Sequence, residues 1–264
     1  MTLELYHHGS SVCAAKTRLA LAEKGVEWTG RYLDILAGEH QTPEYLALNP
    51  KAVVPTLVHD GHVIRESTVI CEYIDDAFDG PPLKPTAPLA LAEMRLWTKR
   101  VDEDVHPSVR PITYVTTHRH TILAQGADEV EAHIAFDPDP AWRARKRAWI
   151  YDGFEARDVR LAVAVFDKLF ADMDKRLSDH EWLAGDAYSL ADTGLTPYAN
   201  RMAMLGFDAL FEGRPHLVRW FDAVRARPSF APGIEQYLPD DLRRTMKENG
   251  RKARPDFERL LAAQ

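Results

Sequence analysis

The sequence predicts an α/β segment of order βαβαββα over residues 1–80, followed by an all-α segment. Three observations carry that expectation. In the first eighty residues, two-residue alternation and 3.6-residue periodicity take turns. The stretch "DGPPLKPTAP" then interrupts with four prolines, a glycine and no periodicity, so residues 81–88 read as a linker. Beyond it, long helical patterns run on without a convincing strand. The expected parts are residues 1–80, the linker 81–88, a helical domain over 89–238 and a charged tail over 239–264.

Element by element, "TLELY" alternates, with Leu3 and Leu5 on one face, and reads as a strand. Val12, Ala15, Leu19 and Ala22 recur at helical spacing, and Gly25 supplies the stop. "VEWTGRYLDI" is a second strand, and "TPEYLALNP" a short helix framed by Thr42 and Pro50. "VPTLVHDGHVIRES" reads as two strands joined at Asp60-Gly61, a strong hairpin dipeptide. "STVICEYIDDAF" is a helix capped by Ser67, with Ile70, Tyr73, Ile74 and Phe78 inward. In the second part, "LALAEMRLWTKRVDEDVHPSVR", the long run from Ala141 to Leu177 and "SLADTGLTPYANRMAML" are helical. Between them "THRHTILAQGADEVEAHIAFDPDP", spanning most of 115–140, is polar and poorly periodic, an expected irregular insertion. The tail "LPDDLRRTMKENGRKARPDFERLLAAQ" is so charged that it reads as a peripheral helix or a partly disordered segment.

Composition narrows the function. With 45% hydrophobic residues the 264-residue chain buries a real core. A net charge of -7 disfavours binding to a phosphate backbone, so no nucleic-acid partner is expected. Two cysteines, Cys13 and Cys71, argue against a disulfide scaffold and fit a reducing compartment. No basic-then-apolar leader and no membrane-length apolar run is visible, so a cytoplasmic protein away from the membrane is expected. No metal-ligand cluster stands out.

The chemistry concentrates in "YHHGSSVCAAK", where the first strand becomes the first helix. Ser10 and Ser11 occupy N-cap positions, where unpaired N–H groups and the positive helix end favour an anion. The plain alternative is that one serine caps the helix, for about 1 kcal/mol. Cys13 near a helix start is either a low-pKa nucleophile or a small buried apolar residue. It lacks the second cysteine of a C-x-x-C pair, so thioredoxin-type exchange is not supported.

"SSVCAAKTRLALAEKG", "NPKAVVPTL" and "IRESTVI" together resemble the glutathione transferase superfamily. "EWLAGDAYSLADT" resembles a motif of its helical domain, in which Ser189 and Asp192 form a capping box. The resemblance implies a thioredoxin-like N-terminal domain that binds glutathione as co-substrate, an all-helical glutathione-transferase C-terminal domain, and a dimer with two-fold symmetry. It places Ser11 at the thiol-activating position. It also implies that Val54 holds the cysteinyl part through its backbone, with Pro55 cis, and that Glu66 and Ser67 hold the γ-glutamyl end. His40 and Lys51 approach the glycyl end. The plain alternatives are that Glu66, Lys51 and His40 are surface groups.

Within that superfamily, "HDGHVIRESTVICEYIDDAF" with "PLKPTAPLALAEMRLWTKRVDE", and "EVEAHI" with "WRARKRAW", resemble the bacterial stereospecific β-aryl etherases. These use glutathione thiolate to displace an aryloxide from the carbon beside a ketone. The resemblance implies a small aromatic substrate derived from lignin, met by a pocket for which His8, Tyr114 and Trp149 are candidates. Aligned on Lys16, the etherases' proposed hydroxyl residues fall at Cys13 and Ala14, so the activating group stays open among Ser11, Ser10 and Cys13. A general conjugating or dehalogenating transferase and a non-catalytic ligand carrier are the competing readings.

Overall fold

A computed structural model describes residues 2–35, 37–137 and 139–264. Four strands form one mixed sheet: β1 (Leu3–His7), β2 (Thr29–Tyr32), β3 (Thr56–His59) and β4 (His62–Ile64), in the order β2-β1-β3-β4. β1 and β2 are parallel; β1–β3 and β3–β4 are antiparallel. Leu3 and Leu5 are buried, as the alternation of β1 requires. β2 is shorter than its sequence suggested. It is an exposed edge strand of four residues, because only Thr29–Tyr32 pair with β1.

Three helices complete this part: α1 (Val12–Glu23), α2 (Pro43–Leu48) and α3 (Ser67–Ala77). α1 is buried on more sides than a one-face helix, from Ala14 to Leu21, with Lys16 and Arg18 among the buried residues. The stripe expected through Val12 and Ala22 is therefore too narrow. α3 packs on α1, and so does α12 (Phe230–Gly233) from much later in the chain. In α3, Ile70 and Ile74 are fully buried while Tyr73 and Phe78 are half-buried.

The remaining helices are α4 (Pro88–Arg100), α5 (His106–Thr117), α6 (Arg119–Leu123), α7 (Ala127–Ala135), α8 (Pro140–Tyr151), α9 (Arg157–Leu177), α10 (Leu190–Met204), α11 (Pro215–Arg225) and α13 (Asp240–Leu261). A π-helical turn at Val101–Val105 joins α4 to α5. Contacts divide the chain into two compact units. One comprises residues 1–99, 176–199 and 219–239; the other comprises 100–175, 200–218 and 240–264.

In the first unit, Asp192 at the start of α10 organises the helical layer. Its carboxylate accepts from Leu183 N–H (3.1 Å), Ser189 N–H (3.0 Å), the Ser189 hydroxyl (3.1 Å) and Trp220 Nε1–H (2.8 Å). Ser189 Oγ in turn accepts from Ala191 N–H at 3.2 Å, which completes the box.

The second unit corrects one expectation and decides between the two readings of the tail in favour of the helix. The insertion is not irregular: α6 and α7 fold around Ile122, Val130, Ile134 and Ile150, with Tyr114 and Leu123 against them. Four apolar side chains are enough to order a polar segment when a neighbouring helix supplies one of them. Pro138, within the quoted stretch, lies outside the described residues. The tail is one continuous 22-residue helix, α13. Met246, Gly250, Ala253, Phe257 and Leu260 form its buried stripe, and Phe257 stacks on Phe207 at 3.8 Å. A Cβ on Gly250 would lie 1.8 Å from the Leu205 carbonyl oxygen, so only glycine permits that approach.

Candidate active site

The sheet register places three loops at one end of the sheet. Tyr6 pairs with Thr56 and Leu57 with Ile64. The chain leaving β1 at His7, the chain arriving at β3 through Val54-Pro55, and the chain leaving β4 toward α3 are therefore neighbours. These are the stretches that hold Ser10, Ser11, Val54, Glu66 and Ser67.

At the first loop, Ser11 is the N-cap of α1, with φ -72° and ψ 119°. Its Oγ accepts from Ala14 N–H at 3.2 Å and its N–H donates to the His8 carbonyl at 3.2 Å. The cap uses a lone pair, so the hydroxyl proton remains to donate elsewhere. Ser10 is committed differently. Its N–H donates to His8 Nδ1 at 3.3 Å, and its Oγ lies 3.0 Å from the same nitrogen. A backbone N–H only donates, so that Nδ1 is the unprotonated nitrogen and the Ser10 hydroxyl donates to it. Cys13, half-buried in the first turn, has its Sγ 3.7 Å from the hydroxyl of the fully buried Tyr198.

Beneath the loop lies a cationic and aromatic layer that sequence reading missed. Arg18 is 1% exposed and donates to the carbonyls of His8, Gly9 and Gly233. Burial draws its guanidinium down to about 10, which leaves it cationic at neutral pH. Burial, with Arg18 and His8 nearby, draws the His7 imidazole down to about 4. Nothing in a helical apolar pattern signals such a residue, because a buried arginine occupies a core position without being apolar.

At the second loop the Val54–Pro55 peptide is cis. Both its sides are tied by a buried network. Tyr45 hydroxyl donates to the Val53 carbonyl (2.6 Å) and lies 2.9 Å from Thr56 Oγ1. Asn49 Nδ2 donates to Val53 O (2.9 Å) and Thr56 Oγ1 (3.0 Å). Asn49, Tyr45 and Thr56 are all buried. The sequence signal was Asn49 in "NPKAVVPTL".

At the third loop a correction is needed. Ser67 does not cap α3; Glu66 is the N-cap residue, with φ +66° and no side-chain cap bond. Ser67 is the first helical residue and is 8% exposed. Its position leaves the first N–H groups of α3 for a ligand. A non-glycine residue at that φ is strained by roughly 1–3 kcal/mol, a feature that clusters at ligand sites. The Glu66 carboxylate accepts from Lys51 Nζ at 2.6 Å, and both side chains are exposed. Lys16 Nζ donates to Thr68 Oγ1 at 3.1 Å, joining α1 to the first turn of α3.

His40 sits half-buried on the 3-10 turn Glu39–Gln41, and burial lowers its pKa. Its Nδ1 is buried without a partner among the described residues, so any ligand contact comes from the Nε2 edge.

His8 is buried at 8% exposure, 5.3 Å from the ring of Tyr32. Tyr114 and Trp149 belong to the second unit, where their rings lie 5.3 Å apart. Tyr114 hydroxyl lies 3.0 Å from His133 Nε2, and burial pushes the phenol up to about 12. Trp149 is 3% exposed, with Trp142 edge-on at 5.8 Å. Both tryptophans line a cleft of about 370 Å³ with Arg110 and Arg145.

Comparison with known proteins matches both the strand-containing part and the helical part of the chain. The model of the glutathione S-transferase N-terminal domain matches residues 1–76, and that of the C-terminal domain matches residues 155–228. The chain belongs to the glutathione S-transferase family. It is 32% identical to protein LigF of Sphingobium sp. over 259 residues, which cover 94% of this chain and 99% of LigF. The crystal structure of beta-etherase LigF matches with a TM-score of 0.77 at 33% identity, covering 89% of this chain and 100% of that one. The tetrachloro-p-hydroquinone reductive dehalogenase of Sphingobium chlorophenolicum is 29% identical, covering 86% of this chain and 94% of its own. A maleylacetoacetate isomerase from Methylobacterium extorquens, solved with malonate and GSH bound, matches with a TM-score of 0.67 at 25% identity, covering 89% of this chain and 98% of that one.

Proposed function

We propose that this protein is a glutathione-dependent β-etherase, in which Ser11 keeps the thiol of glutathione ionised for attack on an α-keto β-aryl ether. The observation that carries the site is the division of labour between the serines. Ser10 points its proton at His8, whereas Ser11 accepts from Ala14 and keeps its proton available. The similarity to LigF over nearly the whole of both chains supports the reaction class.

The residues present fit the tripeptide. The backbone of Val54, set by the cis bond and the Asn49 network, offers the cysteinyl part an N–H and a carbonyl. Ser67 and the first N–H groups of α3 receive the γ-glutamyl carboxylate, while Glu66 pairs with its amino group. Lys51 and the Nε2 edge of His40 meet the glycyl carboxylate.

A free thiol has a pKa near 8.5, so only a few per cent is thiolate at neutral pH. A hydroxyl donating to a charged acceptor contributes about 1.5–3 kcal/mol, and a helix N-terminus about 0.3–1 kcal/mol. One pKa unit corresponds to about 1.4 kcal/mol, so the two together lower the thiol pKa by about one to three units. Ser11 stays protonated throughout and acts only as a donor. At the substrate, the thiolate sulfur forms a bond to the carbon beside the ketone. The C–O bond breaks, and the aryloxide leaves with the electron pair. The ketone activates that carbon toward the attack.

The test supplies glutathione with an α-keto β-aryl ether whose phenolate is fluorescent. Release of the phenolate that depends on glutathione, in one enantiomer more than the other, is the expected result. No release, with turnover of a chlorinated aromatic instead, would move the assignment to a dehalogenating transferase. Glutathione binding without turnover of either would mark a ligand carrier.

A further inference from the structure

Arg18 has no carboxylate partner among the described residues, and its environment is unusual for a buried cation. Nε donates to the Gly233 carbonyl at 2.9 Å, Nη1 to His8 at 3.3 Å and Nη2 to Gly9 at 3.1 Å. The ring of Tyr237 lies 4.2 Å from its guanidinium carbon. Burying a charge without an acid costs several kcal/mol, and a leucine or methionine at this core position would avoid that cost. A packing role alone does not account for the residue.

What Arg18 grips is the turn that carries the serines. The His8 carbonyl that accepts from Nη1 is the one that accepts from Ser11 N–H at 3.2 Å. Two donors thus converge on one oxygen, one from α1 and one from the residue that caps α1. The next carbonyl, Gly9, is held by the same guanidinium. The segment over residues 233–237 presses on the loop from the other side: a Cβ on Gly9 would come within 2.4 Å of the Tyr237 carbonyl oxygen. The turn is therefore fixed at three points by Arg18 and the Tyr237 backbone.

We infer that Arg18 is a positioning residue of the thiol-activating site: anchored by Gly233 and Tyr237, it clamps the His8 and Gly9 carbonyls and so sets where the Ser11 hydroxyl proton points. Its charge, uncompensated by an acid, adds to the preference for an anion above the turn. The inference rests on the reading of Ser11 as the donor.

Three variants test it: Arg18→Lys, Arg18→Met and Tyr237→Leu. Each is folded first by circular dichroism, then titrated with glutathione while ultraviolet absorption of the thiolate is followed against pH. In Arg18→Met the bound thiol pKa rises by about one unit, a tenfold fall in the thiolate-to-thiol ratio at any pH. Arg18→Lys recovers part of that shift, because it keeps the charge but loses the fork of donors. Tyr237→Leu shifts the pKa in the same direction by less. The KM for glutathione stays within about twofold while kcat falls severalfold at neutral pH, by about eightfold at most, and recovers as pH is raised, because binding contacts are intact and only ionisation is lost. If Arg18→Met does not fold, the Arg18→Lys titration decides. An unchanged thiol pKa in the folded variants, with only a lower melting temperature, overturns the inference and leaves the Ser11 reading standing. Absence of any thiolate signal in the wild type removes both.

Discussion

A serine hydroxyl carries one proton and two lone pairs, and the neighbours Ser10 and Ser11 spend theirs in opposite ways. Ser11 caps α1 with a lone pair; Ser10 gives its proton to His8. Ser11→Ala should raise the bound thiol pKa by about one to two units and cut turnover at neutral pH severalfold, by about thirtyfold at most, at a stability cost of about 1 kcal/mol for the lost cap. Ser10→Ala should leave the thiol pKa within a few tenths of a unit. Both are read from thiolate absorption and thermal melts of the same preparations. His7 makes a separate prediction. Its imidazole, 3% exposed, is held neutral down to about pH 4, whereas in the unfolded chain it protonates near 6.5. Between those values the unfolded state binds more protons, so stability is complete above pH 6.5 and falls as pH drops toward 4. The loss is about 3 kcal/mol at most, and His7→Phe should flatten that part of a urea-unfolding profile against pH.

At the scale of elements, the cis-proline loop is held from behind. Asn49 Nδ2 donates to Val53 and Thr56, and its Oδ1 accepts from Lys51 N–H at 3.2 Å. Asn49→Ala removes all three bonds and leaves the buried Thr56 hydroxyl with Tyr45 as its remaining partner. It should cost about 2–3 kcal/mol and weaken glutathione binding more than it slows the bound complex, which separates KM from kcat. Strands and helices here were legible wherever periodicity met punctuation: Asp60-Gly61 marks the β3–β4 hairpin, and Ser11 with Gly25 brackets α1. Where composition spoke louder than spacing, reading failed. In α13 the apolar positions 246, 253, 257 and 260 keep helical spacing inside a segment whose charge left helix and disorder both open. In α7, Val130 and Ile134 are one turn apart in a stretch that looked irregular. The strained φ of Glu66 had no sequence signal, because the residue type there would suit an ordinary helix start.

For the whole molecule, the networks that set the fold are remote in sequence from the site they serve. Asp192 collects four donors from three segments, and burial still outweighs them, pushing its carboxyl up to about 6. Asp192→Ala leaves those donors unpaired in the core and should cost about 3–5 kcal/mol, visible as a lower urea midpoint or as insoluble protein. Phe257→Ala, which removes the stacked partner of Phe207, should cost about 3–5 kcal/mol. Its melting transition would show that α13 belongs to the folded core. The family was legible because its motifs are local: "SSVCAAK", "NPKAVVPTL" and "EWLAGDAYSLADT" each lie within one turn or loop. The support for the first motif was not, because Arg18 reaches Gly233 across 215 positions of chain.

The most direct measurement is a pH titration of thiolate absorption at saturating glutathione, in the wild type and in Ser11→Ala. The wild type is expected to ionise the bound thiol about one to three units below its free pKa near 8.5, and Ser11→Ala to bring it back to within about half a unit of that value. A wild-type protein that binds the tripeptide without lowering its thiol pKa, or a Ser11→Ala variant that lowers it equally well, would contradict that expectation.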